Sequence, residues 1–97
     1  MPKYSPAQIK AALQSLPHWK RKGAAITRTF TFQDFPEAIR FVQTIAKLAE
    51  KAWHHPDIDI RWNKVTLTLT THDQGGLTDK DFSLAAAFNK KAPAPAS

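Results

Sequence analysis

Residues 50–81, EKAWHHPDIDIRWNKVTLTLTTHDQGGLTDKD, hold a helix end, two strands and a helix start in one stretch. Pro56 has no backbone N–H with which to continue a helix, and it biases His55 toward extended geometry. Beyond it, Ile58, Ile60 and Trp62 share one parity, while Asp57, Asp59 and Arg61 share the other. After a turn expected at Asn63-Lys64, Val65, Leu67 and Leu69 oppose Thr66, Thr68 and Thr70. A period of two over both runs predicts a hairpin with one apolar and one threonine-rich face. His72 continues the threonine parity if the second strand runs that far. Gly75-Gly76 then frees the backbone for a turn, and Thr78 to Asp81 has the spacing of a helix cap.

Upstream lies the strongest helical pattern. Asp34-Phe35-Pro36-Glu37 reads as a capped start, with Glu37 reaching back. Phe35, Ala38, Ile39, Val42, Ile45, Ala46, Ala49, Ala52 and Trp53 then recur at three- and four-residue steps, predicting the main core helix. Before it, Trp19 to Lys22, Gly23, and Ala25 to Phe32 predict another hairpin, in which Ile26, Phe30 and Phe32 share a parity. Arg28 breaks that parity, which suggests a sheet edge. Ser5-Pro6-Ala7-Gln8 opens a short first helix with an apolar stripe of Ile9, Ala12, Leu13 and Leu16, closed by Pro17. The last helix carries Phe82, Ala85, Ala86 and Phe88.

The expected order is α-β-β-α-β-β-α, an α+β two-layer sandwich with a four-stranded antiparallel sheet and three helices on one face. Residues 1–91 form one domain in this reading, and 92–97 a flexible tail. The threonine face, without a helix over it, is left to solvent or to another subunit.

Composition narrows the function classes. No apolar run approaches the roughly 18–20 residues that span a bilayer, and with no cysteine there is neither a disulfide framework nor a thiolate metal site. A cytoplasmic location is the default expectation. The net charge is +6, and Lys3, Lys10, Lys20, Arg21, Lys22 and Arg28 all precede the first acidic residue, Asp34. Such a flank attracts anions. It accompanies no nucleic-acid-binding motif, so a solubilising surface is the simpler reading.

Three of the four histidines, His54, His55 and His72, lie in the opening stretch. Imidazole exchanges protons near neutral pH, so histidines at the end of a helix and the end of a strand suggest proton transfer. Glu50 and His54, four apart, share a helix face, where the carboxylate can orient the ring. Plainer readings stand beside these. Glu50–His54 is also an ordinary exposed pair, His55 a helix-stop residue and His72 a turn residue. Asp81 fits a capping carboxylate, and Trp19, Trp53 and Trp62 fit core positions. Adjacent histidines at a helix end point apart, which argues against a metal site.

These residues resemble a known family. Glu50-Lys51, His54-His55-Pro56, Trp62-Asn63-Lys64-Val65, Thr71-His72, Gly76-Leu77 and Asp81 are similar to the signature of the pterin-4a-carbinolamine dehydratases. Trp19 and the Phe30, Phe32, Asp34, Phe35 segment extend the likeness over nearly the whole chain. The resemblance implies a dimer or tetramer that removes water from 4a-hydroxytetrahydrobiopterin to give quinonoid dihydropterin, without metal or organic cofactor. It places the step in tetrahydrobiopterin recycling, in a pathway with an aromatic amino-acid hydroxylase. It also implies a non-catalytic alternative, since an animal member acts as dimerisation partner of a homeodomain transcription factor. On the matched positions, His54 and His72 would do the acid–base work with His55 beside them. Glu50 would tune the cluster, Asp81 would hold a histidine or the pterin edge, and Trp19 would wall the pocket. Trp53 and Ile58 depart from the pattern, standing where relatives commonly carry a short polar residue and a tryptophan.

Overall fold

Each helix begins where a side chain satisfies the free backbone donors of its first turn. The structure, a computed structural model, describes residues 2–92. Helix α1 spans Pro6–Gln14, and Ser5 and Gln8 form a reciprocal capping box. Helix α2 spans Phe35–Ala52, with the Asp34 carboxylate accepting from the Glu37 N–H at 2.9 Å. Glu37 reaches one residue further back than expected and accepts from Gln33 N–H. Helix α3 spans Asp79–Lys91, capped by Thr78 and Asp81. Of the expected tail only Ala92 is described, just after α3; residues 93–97 lie outside the described residues.

Strands β1 (Lys20–Lys22), β2 (Ala25–Thr31), β3 (Asp57–Arg61) and β4 (Lys64–Leu69) form one antiparallel sheet in the order β1-β2-β4-β3. The fold is the expected α+β sandwich, with the helices on one face. Its core is the apolar parity of the two inner strands: Ile26, Phe30, Val65, Leu67 and Leu69 are all essentially inaccessible. Each such side chain contributes about 1.5–3 kcal/mol on burial. On the other face the threonines pair across strands, Thr29 with Thr66 at 2.8 Å and Thr27 with Thr68 at 3.2 Å.

Several local expectations change. Arg28 is on inner strand β2, although β1 pairs only as far as Thr27, so one side of the ladder has ended there. Its guanidinium lies 4.0 Å over the Phe30 ring and donates to Asn89, and burial lowers its pKa from the ordinary arginine value. In α2 the stripe facing the sheet is Ala38, Phe41, Ile45 and Ala49. Phe35, Ala46, Ala52 and Trp53, expected in the core, are exposed, whereas Phe41 is buried and Leu48 half-buried. Two overlapping apolar stripes share similar spacing, and only the one centred on Ile45 faces the sheet. The β3–β4 turn is Trp62-Asn63 rather than Asn63-Lys64, because Arg61 pairs with Lys64. Asn63 fixes it by donating its side-chain amide to the Phe32 carbonyl and accepting at its own carbonyl from Phe32 N–H, each at 2.8 Å. Strand β4 stops at Leu69, so His72 is not a strand residue but opens a 3-10 turn over His72–Gln74, closed by Gly75 at φ 72°.

The N-terminal segment straps onto the start of α3. Tyr4 N–H donates to the Leu77 carbonyl, its ring stacks on Phe82 at 5.0 Å, and its hydroxyl donates to Asp79. That hydrogen bond, with burial and the carboxylate charge, raises the phenol pKa above its ordinary 10.0. A raised pKa in the folded state gives a contribution that is whole below the unfolded value and disappears as pH rises through the folded one. The stability difference between wild type and Tyr4→Phe is therefore expected to be constant from neutral pH to about 9 and to shrink above about 10. Urea midpoints across that range measure it, and a difference independent of pH would contradict the tether.

Candidate active site

Three chain segments meet at Asp81, a fully buried carboxylate in the first turn of α3. Its Oδ2 accepts from the Thr78 N–H at 2.9 Å and from the Thr71 hydroxyl at 2.8 Å. The Thr78 and Thr71 hydroxyls are themselves 2.9 Å apart. Oδ1 lies 2.6 Å from His54 Nε2. The carboxylate thus caps α3 and also holds a histidine, so both readings of Asp81 describe one arrangement. With Oδ1 accepting, Nε2 is the donor, and Nδ1 is the nitrogen left to exchange a proton. Only 12% of the His54 side chain is exposed.

The pairing differs from the helix-face expectation. Helix α2 ends at Ala52, and Trp53 takes a left-handed backbone at φ 51° and ψ 44°. That turn carries His54 away from the Glu50 face and toward α3. Glu50 instead meets His55, whose Nε2 lies 2.7 Å from Oε1, in an exposed pair. His72 follows Thr71 directly, so the end of α2 and the segment after β4 converge on the same carboxylate. The His72 ring is exposed and makes no side-chain hydrogen bond among the described residues.

Trp19 is elsewhere. It is buried in the core, edge-on to Phe30, and its Nε1–H donates to Asn89 at 2.8 Å. Asn89 lies eight residues along α3 from Asp81, roughly 12 Å at 1.5 Å per residue, so Trp19 does not join the histidines. The sequence marks Thr78 as a helix cap and Thr71 as part of the family signature, but neither as a site residue. The capping pattern at Thr78 and the Thr71-His72 adjacency were the available signals.

A cleft of about 500 Å³ lies between α2 and α3, with Leu48, Ala52, Leu84 and Ala87 among its apolar lining. His54 borders it, whereas His55 and His72 do not. Among the described residues no three His, Cys, Asp or Glu side chains gather as a set able to hold a metal ion.

The family profile described as pterin 4 alpha carbinolamine dehydratase matches residues 2–91. The chain belongs to that family. A Chloroflexus aurantiacus protein, provisionally named a pterin-4-alpha-carbinolamine dehydratase, is 56% identical over 90 residues, covering 93% of this chain and 97% of the relative. A Roseiflexus sp. protein with the same provisional name is 57% identical over 86 residues, covering 89% of this chain and 92% of the relative. Among solved structures, a transcriptional coactivator/pterin dehydratase from Brucella melitensis superposes with a TM-score of 0.90 at 35% identity, over 94% of this chain and 99% of that one. A pterin dehydratase-like RuBisCO assembly factor of the alpha-carboxysome shares the fold, with a TM-score of 0.64 at 22% identity over 79% of this chain and 89% of that one. Among the described residues no helix is long and apolar enough to cross a membrane.

Truncating Asp81 leaves the Thr71 hydroxyl, the Thr78 N–H and His54 without their shared acceptor. Asp81→Ala is expected to lose about 2–4 kcal/mol, the cost of buried unpaired donors and a lost cap. Urea denaturation checks it; a loss under about 0.5 kcal/mol, the level of an ordinary surface change, would show that the carboxylate ties nothing together.

Proposed function

We propose that the protein catalyses loss of water from a 4a-hydroxytetrahydropterin, giving a quinonoid dihydropterin. The observation that carries this reading is the Asp81–His54 pair, 2.6 Å between a buried carboxylate and a nearly buried imidazole, beside the chain segment that presents His72. Hydroxide leaves the 4a carbon poorly unless it is protonated as it departs. A second group must accept the proton lost from the pterin ring nitrogen system. His54 and His72 are the two groups proposed for these transfers, with His55 binding the ring or sharing in them. Glu50 supports His55, and Asp81 orients His54. No metal or organic cofactor enters this scheme.

Of the three histidines, a ligand inside the α2–α3 cleft would meet only His54, because His55 and His72 do not line it. Two proton transfers favour a substrate outside the cleft, against the histidine segments. Each transfer is worth on the order of 10²–10⁴-fold in rate. His54→Ala and His72→Ala are each expected to slow 4a-hydroxytetrahydrobiopterin breakdown about 100-fold while the circular dichroism spectrum is kept. The appearance and decay of the quinonoid absorbance reports the rate. Wild-type protein that leaves the buffer rate unchanged would end this reading.

The proposed working state is a homodimer or homotetramer in the cytoplasm, serving the recycling of a pterin used by an aromatic amino-acid hydroxylase. Phe35, Ile58, Ile60 and Trp62 are exposed, and edge strand β3 pairs on one side only. These surfaces suit contact between subunits. They also suit the second reading, a binding role like that of the Brucella melitensis transcriptional coactivator. Light scattering at micromolar concentration is expected to give two or four chain masses; a mass of one chain would remove the oligomer.

A further inference from the structure

Trp53 is 73% exposed, the most exposed large apolar side chain among the described residues. Its backbone is left-handed, at φ 51°. Bulky L-residues adopt that conformation at a cost, which is why glycine or asparagine commonly closes a helix this way. Burial of the indole recovers none of the cost, because the ring lies outside the core. Its ring contact is with His55, edge to face at 5.3 Å and 79°. Glu50 engages the same imidazole at Nε2. The indole therefore stands against His55 with much of its surface open.

Trp62 offers a comparison. It is also left-handed and 67% exposed, but it occupies the hairpin turn at the far end of β3 and makes no ring contact with a histidine among the described residues. Left-handed backbone and exposure coincide at His18, Trp53 and Trp62 among the described non-glycine residues, and of the two tryptophans only Trp53 has a ring contact with a histidine of the candidate site. A strained, exposed side chain beside a candidate site points toward function.

We infer that Trp53 is a ligand-contacting, specificity-determining residue, its indole face stacking on the conjugated N1–C2–N3–C4 segment of the pterin beside His55. Indole presents a large face at little conformational cost, and a nucleobase-like ring stacks on such faces irrespective of its hydrogen-bonding edge. Contact is made at the N1–C2–N3–C4 segment of the ligand, away from the C4a–O bond that breaks. Trp53 would therefore act on binding more than on turnover. The inference rests on the pterin reading given above.

The test uses the full chain and biopterin, a stable oxidised pterin, titrated calorimetrically into wild type, Trp53→Phe and Trp53→Asn. Asparagine tolerates the left-handed backbone, so Trp53→Asn is expected to melt no lower than wild type. It is expected to bind biopterin on the order of 10-fold more weakly, the loss of one stacking contact. Trp53→Phe, which keeps a ring, is expected to stay within about 3-fold of wild type. In the dehydration assay the Asn variant should raise KM in the same proportion and change kcat less. Unaltered biopterin affinity in Trp53→Asn overturns the inference, as does wild type that does not bind biopterin. A fall in assembly mass in Trp53→Asn also overturns it, by assigning the indole to a subunit contact. Wild type that binds biopterin through Trp53 yet does not speed dehydration leaves the inference standing and removes the dehydratase reading. An active wild type with an unaffected Asn variant does the reverse.

Discussion

The Asp81 carboxylate is the interaction on which the arrangement depends. Taking a carboxylate out of water costs several kcal/mol even after the protein relaxes around it. Here the cost is offset by donors from three places: the Thr78 N–H at the start of α3, the Thr71 hydroxyl after β4, and His54 after α2. None of these donors is a lysine or arginine. Remove the carboxylate and the end of α2, the segment before the glycine turn and the start of α3 lose their common partner. The close pairing of Thr71 with Gly76 across the turn follows from the same constraint, since it brings Thr71 back beside Thr78.

Much of the fold was legible because its signals are local and agree with one another. Alternation in β2 and β4, caps at Ser5, Asp34 and Thr78, and the stop at Pro56 all concern residues within a few positions of each other. The element order follows from them. What could not be read depends on distant neighbours. Residues Phe35, Ile39, Val42 and Ala46 form a stripe about as regular as Ala38, Phe41, Ile45 and Ala49, and the sheet decides which is buried. Arg28 looked like an edge residue because a charge on an apolar parity usually means water. Asn89 and the Phe30 ring accommodate it instead, and Asn89 is far along the chain.

The gathering of the candidate residues was legible in the sequence more than their pairing. His54, His55, His72, Glu50 and Asp81 all lie in or beside the converging segments, but the pairs are not those that helix spacing suggests. A four-residue step assumes that the helix continues through His54. The left-handed backbone at Trp53 breaks that assumption, and nothing about a tryptophan announces such a conformation. Once the chain turns there, Glu50 faces His55 and His54 faces Asp81. Trp19 lies apart from the histidines for a different reason. Its indole N–H needed a partner, and Asn89 supplied one inside the core.

Rigid elements end where the candidate chemistry begins. His54 and His55 follow the last residue of α2, and His72 begins a short turn after β4. Segments outside the ladders and helices leave the His55 and His72 imidazoles accessible, while packed elements fix their positions. Asp81 alone belongs to both categories, since it is a helix residue with full burial and also the partner of His54. Its two oxygens divide the work: Oδ2 serves the fold through Thr78 and Thr71, and Oδ1 serves His54. A change that keeps Oδ2's bonds but alters Oδ1 therefore bears on the histidine, whereas loss of the whole group bears on both. Stability and the proposed proton transfer share one carboxylate and are coupled by geometry rather than by proximity in sequence.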